Sequence, residues 1–304
     1  MTKKDFLTFD ELSAKETMGI ISLASSLKKR RAMTSMPLKG KTLAMIFEKP
    51  STRTRVSFEV GMYQLGGNSV ILSSDSMQLS RGESHADTAR TLSRYADILM
   101  ARVFDHRTVV ELAKYSSIPV INGLSNSFHP CQILADLLTV HEKKKKLDGL
   151  KVAWIGDGNN VCNSWLYGCA KTGMKITVAS PKGYAPDANV VRDASKSTTV
   201  NIMTDPAKAV KDADVVVTDT FTSIHDQNSS KKTKAFVPKY RVGRSLMSKA
   251  SKDAIFMHCL PAKRGREVEA LVIDGKRSVV WDETENRLHT QKALLLYLTG
   301  ASAI

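Results

Sequence analysis

The sequence predicts an α/β protein of two doubly wound domains, each built around a central parallel sheet. Short β-branched runs alternate with longer helical patterns along most of the chain, which is the rhythm of βαβ units. That rhythm breaks once, at "HEKKKKLDGLK" (residues 141–151), where a lysine run meets Asp148-Gly149 and a fresh strand begins at Val152. A chain of 304 residues is long for one core and comfortable for two of about 150 residues each.

The first-half strands are expected at 43–47, 69–72, 98–103 and 119–121. A helix is expected from 52 to 65, stopping at Gly66-Gly67, a natural C-cap. A helical pattern through Ile133, Leu134, Leu137 and Leu138 runs into the lysines. Second-half strands are expected at 152–155, 176–179, 200–203, 215–218, 255–257 and 278–281. The last segment, 285–298, reads as a helix whose apolar residues from Ala293 to Leu298 dock on something. The domains are therefore placed at 1–140 and 148–285, with residues 286–304 packing back on the first. No internal repeat or low-complexity tract is evident.

Hydrophobic content of 42% and charged content of 25% describe a globular chain. No apolar run approaches the roughly 18 residues that span a bilayer. The stretch "MTKKDFLTFDELSAKE" has no apolar signal core, so a cytoplasmic location and no membrane partner are expected. A net charge of +15 raises nucleic acid as a partner. The basic residues are scattered, however, apart from 28–31 and 143–146, and neither run interleaves with aromatics. These runs read as solvated helix ends, so no nucleic acid is expected, and the positive field suits a small anion. Cys131, Cys162, Cys169 and Cys259 form no C-x-x-C pair. That excludes a zinc knuckle or redox pair and fits a reducing compartment.

One stretch carries unusual chemistry. "MIFEKPSTRTRVSFEV" (45–60) ends a strand at Glu48-Lys49-Pro50 and opens a helix with Ser51 at the N-cap. Free first-turn amides and the helix dipole favour an anion there. Arg53 and Arg55 add forked donors suited to phosphate oxygens. A first turn is usually acidic, and a cationic one is unfavourable until something negative binds. The alternative is that Arg53 and Arg55 pair with Glu48, Glu59 or other surface acids. The stretch is not a phosphate loop of the G-x-x-x-x-G-K-[ST] kind. Arg102 stands at the end of the 98–103 strand, and "HPCQ" (129–132) opens a helix with Pro130 in its first turn. Carboxyl ends of parallel strands are where ligands bind in such sheets.

Ser51-Thr52-Arg53-Thr54-Arg55, then Arg102, then His129-Pro130-x-Gln132, in this order, resemble the carbamoyl phosphate domain of the aspartate/ornithine carbamoyltransferase family. The resemblance covers nearly the whole chain. It implies that Ser51, Thr52, Arg53 and Thr54 hold the phosphate of carbamoyl phosphate. Arg102 would bridge phosphate and carbamoyl oxygen, His129 would bond the carbonyl oxygen, and Gln132 the carbamoyl amide. The stretch "SSDSMQLSRGESHADTAR" (73–90) resembles a family loop that reaches a neighbouring subunit. Gln78 there matches a residue contacting the neighbour's carbamoyl phosphate, which implies a homotrimer with shared sites. Taken alone, the residues show only a polar loop between a strand and a helix.

The second half bears on the acceptor. "WIGDGNNV" (154–161) follows a strand and opens a helix, but Val161 occupies the third glycine position of a dinucleotide fingerprint. The G-D-G-N-N turn recurs in the ornithine members, where Asn160 matches a residue at the α-amino-acid end. In "TDTFTSIH" (218–225), Asp219 and Ser223 match residues holding the acceptor's α-ammonium group, and Ile224 the contact to its methylenes. In "MHCLPAKRG" (257–265), His258-Cys259-Leu260-Pro261 is the ornithine-type version of its loop. Cys259 and the Leu260 carbonyl would lie near the reacting amine and the carbamoyl amide. By itself the pair His258-Cys259 reads as a buried strand end with a packing thiol. His258 and Cys259 are adjacent and no other ligand cluster is evident, so no metal is expected. Arg287, in "DETENRLH" (282–289), matches an arginine at the donor's carbamoyl group. One departure stands out: the family's Ser-Met-Gly is Ser223-Ile224-His225 here, and His225 lacks glycine's freedom at positive φ.

The resemblance thus implies a cofactor-free transfer of a carbamoyl group from carbamoyl phosphate to the side-chain amine of L-ornithine, giving L-citrulline and phosphate. The site would lie in the cleft between the domains, with Arg102, His129, Cys259 and Arg287 in catalytic roles. The alternatives are another acceptor amine (putrescine or a modified ornithine) or a non-catalytic basic binding protein on the same fold.

Overall fold

The computed structural model describes residues 3–29, 35–222 and 229–301. Its contacts divide the chain into two units, Met1–Leu138 with Glu285–Ile304, and Thr139–Thr284.

The first unit opens with α1 (Ala14–Lys29), then runs β1 (Thr42–Phe47), α2 (Thr52–Gln64), β2 (Asn68–Ser73), two 3-10 turns, α3 (His85–Tyr95), β3 (Ile98–Arg102), α4 (His106–Tyr115), β4 (Val120–Leu124) and α5 (Pro130–Lys144). The four strands are parallel in the order β2-β1-β3-β4. The inner strands are buried on both faces: Leu43 to Ile46 of β1 and Ile98 to Ala101 of β3 are all 2% exposed or less. Their near-continuous apolar runs are what helices on both faces of a sheet require. The edge strand β2 instead alternates partly covered and exposed positions.

The second unit contains β5 (Lys151–Ile155), α6 (Asn160–Thr172), β6 (Lys175–Ala179), α7 (Ala188–Ala194), β7 (Val200–Met203), α8 (Pro206–Ala209), β8 (Val215–Val217), α9 (Ser229–Phe236), α10 (Arg244–Met247), β9 (Ile255–Met257) and α11 (Ala270–Ile273). Its five strands are parallel in the order β7-β6-β5-β8-β9. The core behind them gathers Phe221, Phe236, Tyr240 and Phe256, with Phe221 and Phe236 stacked at 4.7 Å. Cys162 and Cys169 are buried packing residues of α6, and burial pushes both thiols up.

The last helix, α12 (Val280–Thr299), contributes its residues from Glu285 onward to the first unit. There Lys28 Nζ donates to Asn286 Oδ1 at 2.8 Å, and Tyr297 Oη to Glu16 Oε1 at 2.6 Å. The strand expected at 278–281 does not form. Ser278 makes only an isolated bridge to Phe256, and the helix has begun by Val280. Asp282 and Glu283 in its first turn favour that helix start. They override the local β-propensity of Val279 and Val280. No described helix is long and apolar enough to cross a membrane.

Candidate functional site

In both sheets the strand order reverses beside the first strand laid down. In the first it reverses between β1 and β3, in the second between β5 and β8. Loops leaving neighbouring strands at such a switch point diverge, one to each face, and leave a crevice. The candidate residues fall at these two places.

In the first unit, Phe47 at the end of β1 is in register with Arg102 at the end of β3. The β3–β4 ladder slips between Ala101 and Arg102. Such irregularities re-aim the side chain next to them. Beyond β1, Ser51 caps α2 in an extended conformation (φ −159°, ψ 112°), and its side chain accepts from the Thr54 amide at 3.2 Å. The first turn of α2 contains no acid. Thr54 is 1% exposed. Its hydroxyl oxygen accepts from Arg102 Nη1 at 3.4 Å and from Arg287 Nη2 at 3.3 Å. Arg287, on α12 and 2% exposed, also donates from Nη1 to Gln132 Oε1 at 2.7 Å. Thus Ser51, Thr54, Arg102, Gln132 and Arg287, from four separate elements, form one connected set.

His129 precedes α5 and is 5% exposed. Its imidazole is held well below the usual histidine value, first by burial and then by the Arg287, Arg102 and Arg53 guanidiniums. It is therefore a neutral group in a strongly positive surrounding, able to donate one hydrogen bond without adding charge. Lys49 lies against the Phe104 ring, 4.3 Å from its centroid, and half-burial together with Arg102 lowers its pKa. Buried cations of like sign gain stability when an anion joins them. Thr52 is exposed and Arg53 half-buried on the first turn of α2.

Arg55 follows the alternative reading: it is exposed and pairs with Glu59 one turn on, at 3.7 Å. Gln78 is exposed on a 3-10 turn after β2 and does not join the network around Thr54.

In the second unit the loops after β5, β8 and β9 converge. Asn159 caps α6, its Oδ1 accepting from the Val161 and Cys162 amides at 3.0 and 3.1 Å. Its Nδ2 donates to Asp219 Oδ2 at 2.8 Å. The other oxygen of Asp219 accepts from the Cys259 thiol at 3.2 Å and from the Thr220 amide at 2.7 Å. Asn160 opens α6 and is partly covered. Asp219 is 8% exposed, and these donors satisfy its buried oxygens. His258 is fully buried, and its Nδ1 accepts from the Leu260 amide at 2.9 Å. That bond fixes the ring proton on Nε2, which faces Glu267 Oε1 at 3.5 Å. Leu260 takes a left-handed φ of 56°, rare for a branched residue, just before a cis peptide bond to Pro261. Ser223 and Ile224, and His225 after them, lie outside the described residues.

Asn159 was not singled out from sequence, although an Asn ahead of an apolar helix start is a capping signal that points to it. Asp219, singled out above for another role, lies beside His258 and Cys259, with one donor atom of each within 4.8 Å of the others. A thiolate, an imidazole and a carboxylate suit zinc. Here, however, the thiol is engaged by Asp219 and the imidazole Nδ1 by Leu260, so a metal would have to displace both bonds.

Comparison with known proteins divides the chain at nearly the same first boundary, with α12 matched to the second family. Residues 4–142 match the family described as "Aspartate/ornithine carbamoyltransferase, carbamoyl-P binding domain", and residues 148–298 the one described as "Aspartate/ornithine carbamoyltransferase, Asp/Orn binding domain". A protein from Cenarchaeum symbiosum named ornithine carbamoyltransferase is 60% identical over 295 residues, covering 97% of this chain and 98% of the relative. One of the same name from Carboxydothermus hydrogenoformans is 54% identical over 305 residues, covering 98% of each. Among solved structures, the ornithine carbamoyltransferase from Pyrococcus furiosus superposes with a TM-score of 0.93 at 48% identity, covering 98% of both chains. The anabolic ornithine carbamoyltransferase from Campylobacter jejuni does so with a TM-score of 0.92 at 44% identity, covering 98% of this chain and 99% of that one.

Proposed function

Since the chain belongs to the aspartate/ornithine carbamoyltransferase family, we propose that it transfers the carbamoyl group of carbamoyl phosphate to the side-chain amine of L-ornithine. The products are L-citrulline and phosphate. The observation that carries this reading is the set at the ends of β1 and β3. Two guanidiniums share the Thr54 hydroxyl beside a neutral, buried His129 and an acid-free helix start. An acyl phosphate, a mixed anhydride, needs this combination: fixed positive charge for the leaving phosphate and neutral donors for the acyl oxygen.

In the proposed reaction the phosphate sits on the α2 start, held by Ser51, Thr52, Arg53 and Thr54. Arg102, Arg287 and His129 are aimed at the carbamoyl oxygen. Asp219 and Asn160 hold the α-ammonium and α-amino-acid end of ornithine, with Ser223 and Ile224 completing that subsite. The δ-amine attacks as the neutral base. A free alkyl amine has a pKa of about 10.4, so nearby cations and loss of water must favour its deprotonated form. Attack forms the C–N bond and moves an electron pair to the carbonyl oxygen, where donors act as an oxyanion hole. The C–O bond to phosphate then breaks, and phosphate leaves with that bonding pair and takes up the amine proton. The family resemblance assigns Cys259 to the reacting nitrogen and the Leu260 carbonyl to the carbamoyl amide. The steps need no redox or metal chemistry, and positioning supplies much of the acceleration.

The exposed Gln78 turn supports a homotrimer in which Gln78 contacts a neighbour's carbamoyl phosphate, and a cytoplasmic location is proposed with it. The test is citrulline formation by the purified chain from carbamoyl phosphate and L-ornithine. A panel of amines at equal concentration, putrescine included, is run beside it because of Ser223-Ile224-His225. Absence of citrulline refutes the reading. Faster carbamoylation of another amine moves the assignment to that amine.

A further inference from the structure

Asp136 is a carboxylic acid 1% exposed in the interior of α5. Acids are rarely buried so completely unless a partner holds them. It stands one turn after Gln132, itself 1% exposed, and Gln132 Nε2 donates to Asp136 Oδ1 at 2.8 Å. At its other end Gln132 Oε1 accepts from Arg287 Nη1 at 2.7 Å.

A carboxamide can turn over by 180° with almost no change in shape, exchanging its oxygen and its NH2 group. Here the two neighbours forbid it. A guanidinium carries donors and no acceptor, and a carboxylate only accepts. With the oxygen toward Arg287, both ends are satisfied. Turned over, NH2 would face a guanidinium N–H at one end and oxygen would face a carboxylate oxygen at the other. Arg287 alone would favour the first orientation; Asp136 makes the second doubly unfavourable in a dry environment, where each mismatch has its full cost.

We propose that Asp136 is a positioning residue. By locking the polarity of the Gln132 carboxamide, it makes the site select a donor whose acyl carbon bears an NH2 group. The proposal rests on the carbamoyl phosphate reading above, in which Gln132 meets the carbamoyl amide. An oxygen held toward the ligand accepts from a carbamoyl N–H. The methyl group of acetyl phosphate offers it nothing. The phosphate cradle around Ser51 and Thr54 is built by other residues, so it treats the two donors alike. Asp136 thus acts on the acyl end and leaves the phosphate end unchanged.

The test measures dissociation constants of carbamoyl phosphate, acetyl phosphate and inorganic phosphate for the full chain, for Asp136→Ala and for the near-isosteric Asp136→Asn. Loss of one hydrogen-bond anchor corresponds to about tenfold. In Asp136→Ala, carbamoyl phosphate binding is expected to weaken by about that factor, with the other two ligands within about twofold of wild type. Asp136→Asn keeps an acceptor but also offers a donor to a turned-over amide. It preserves packing and should lose about threefold, again for carbamoyl phosphate alone. Equal weakening of all three ligands would reduce Asp136 to a structural residue, and an unchanged preference in both variants would remove its role altogether. Wild-type protein that fails to bind carbamoyl phosphate defeats the underlying reading instead, so the two failures are told apart by the wild-type measurement.

Discussion

Acid should weaken the first unit through His129, and by an amount the structure limits. The imidazole is buried among three guanidiniums and is held well below its ordinary value of 6.5. The unfolded chain takes up a proton near pH 6.5, while the folded ring resists one. Between the folded and unfolded values the unfolded state therefore binds more protons, and stability rises with pH. The contribution is complete above the unfolded value and is lost as pH falls below it. One pH unit corresponds to about 1.4 kcal/mol. Going from pH 7.5 to 5.5 crosses one such unit below 6.5, so His129 alone should cost up to about 1.4 kcal/mol. The assay is urea unfolding followed by far-ultraviolet circular dichroism at both pH values, on wild type and His129→Gln. Other histidines with lowered values, His106 and His289, titrate in both proteins and cancel in the difference. The wild-type stability relative to the variant should fall by that amount on acidification. Inorganic phosphate should shrink the fall, because an anion at the cradle offsets the guanidiniums that oppose protonation. A difference that stays flat between the two pH values would refute the reasoning, and so would an imidazole found charged at pH 6 by nitrogen chemical shift.

Two further outcomes test the cradle and the acceptor turn. Ser51→Ala removes the cap on the Thr54 amide and should cost about 1 kcal/mol of stability, read by thermal unfolding, together with weaker phosphate binding; unchanged phosphate affinity would count against the cradle. Gly158→Ala places a methyl carbon 2.1 Å from Pro186 N and 2.3 Å from Ala185 C, backbone atoms that cannot step aside cheaply. A cost of about 1–3 kcal/mol and a raised KM for the amine with carbamoyl phosphate binding intact are expected, and an unaltered amine KM would show that the turn tolerates displacement.

The inner strands were legible because they are continuous apolar runs, buried on both faces and closed by a capped helix or a polar turn. Residues 43–47 and 152–155 needed no tertiary information. The segment 278–281 misled because two valines and a tryptophan read as strand in any short window. The deciding signal lay outside that window, in two acids placed to start a long helix. Within the site, Ser51, Arg102 and His129 were legible as types at the ends of strands or openings of helices. The partnership of Thr54 with Arg287 was not, since 233 positions separate them and only the return of α12 to the first unit joins them. Arg53 and Arg55 look alike in sequence, yet the helix turns Arg55 outward to Glu59. Nothing in the helical pattern of Ile133, Leu134, Leu137 and Leu138 singles out Asp136, because burial on all sides is a property of the fold and not of spacing.

The split composition of the first unit has a consequence for synthesis. A ribosome delivers residues in order, and the helix bearing Arg287 is made after every strand of both sheets. Until it emerges, Thr54 and Gln132 wait without their guanidinium, and Glu16 without Tyr297. The first unit is begun before the second and completed after it. A chain that stops at Thr284 keeps all five strands of the second sheet and its core residue Val280, but has an unfinished anion pocket. Ligand capture therefore reports that translation has passed Arg287.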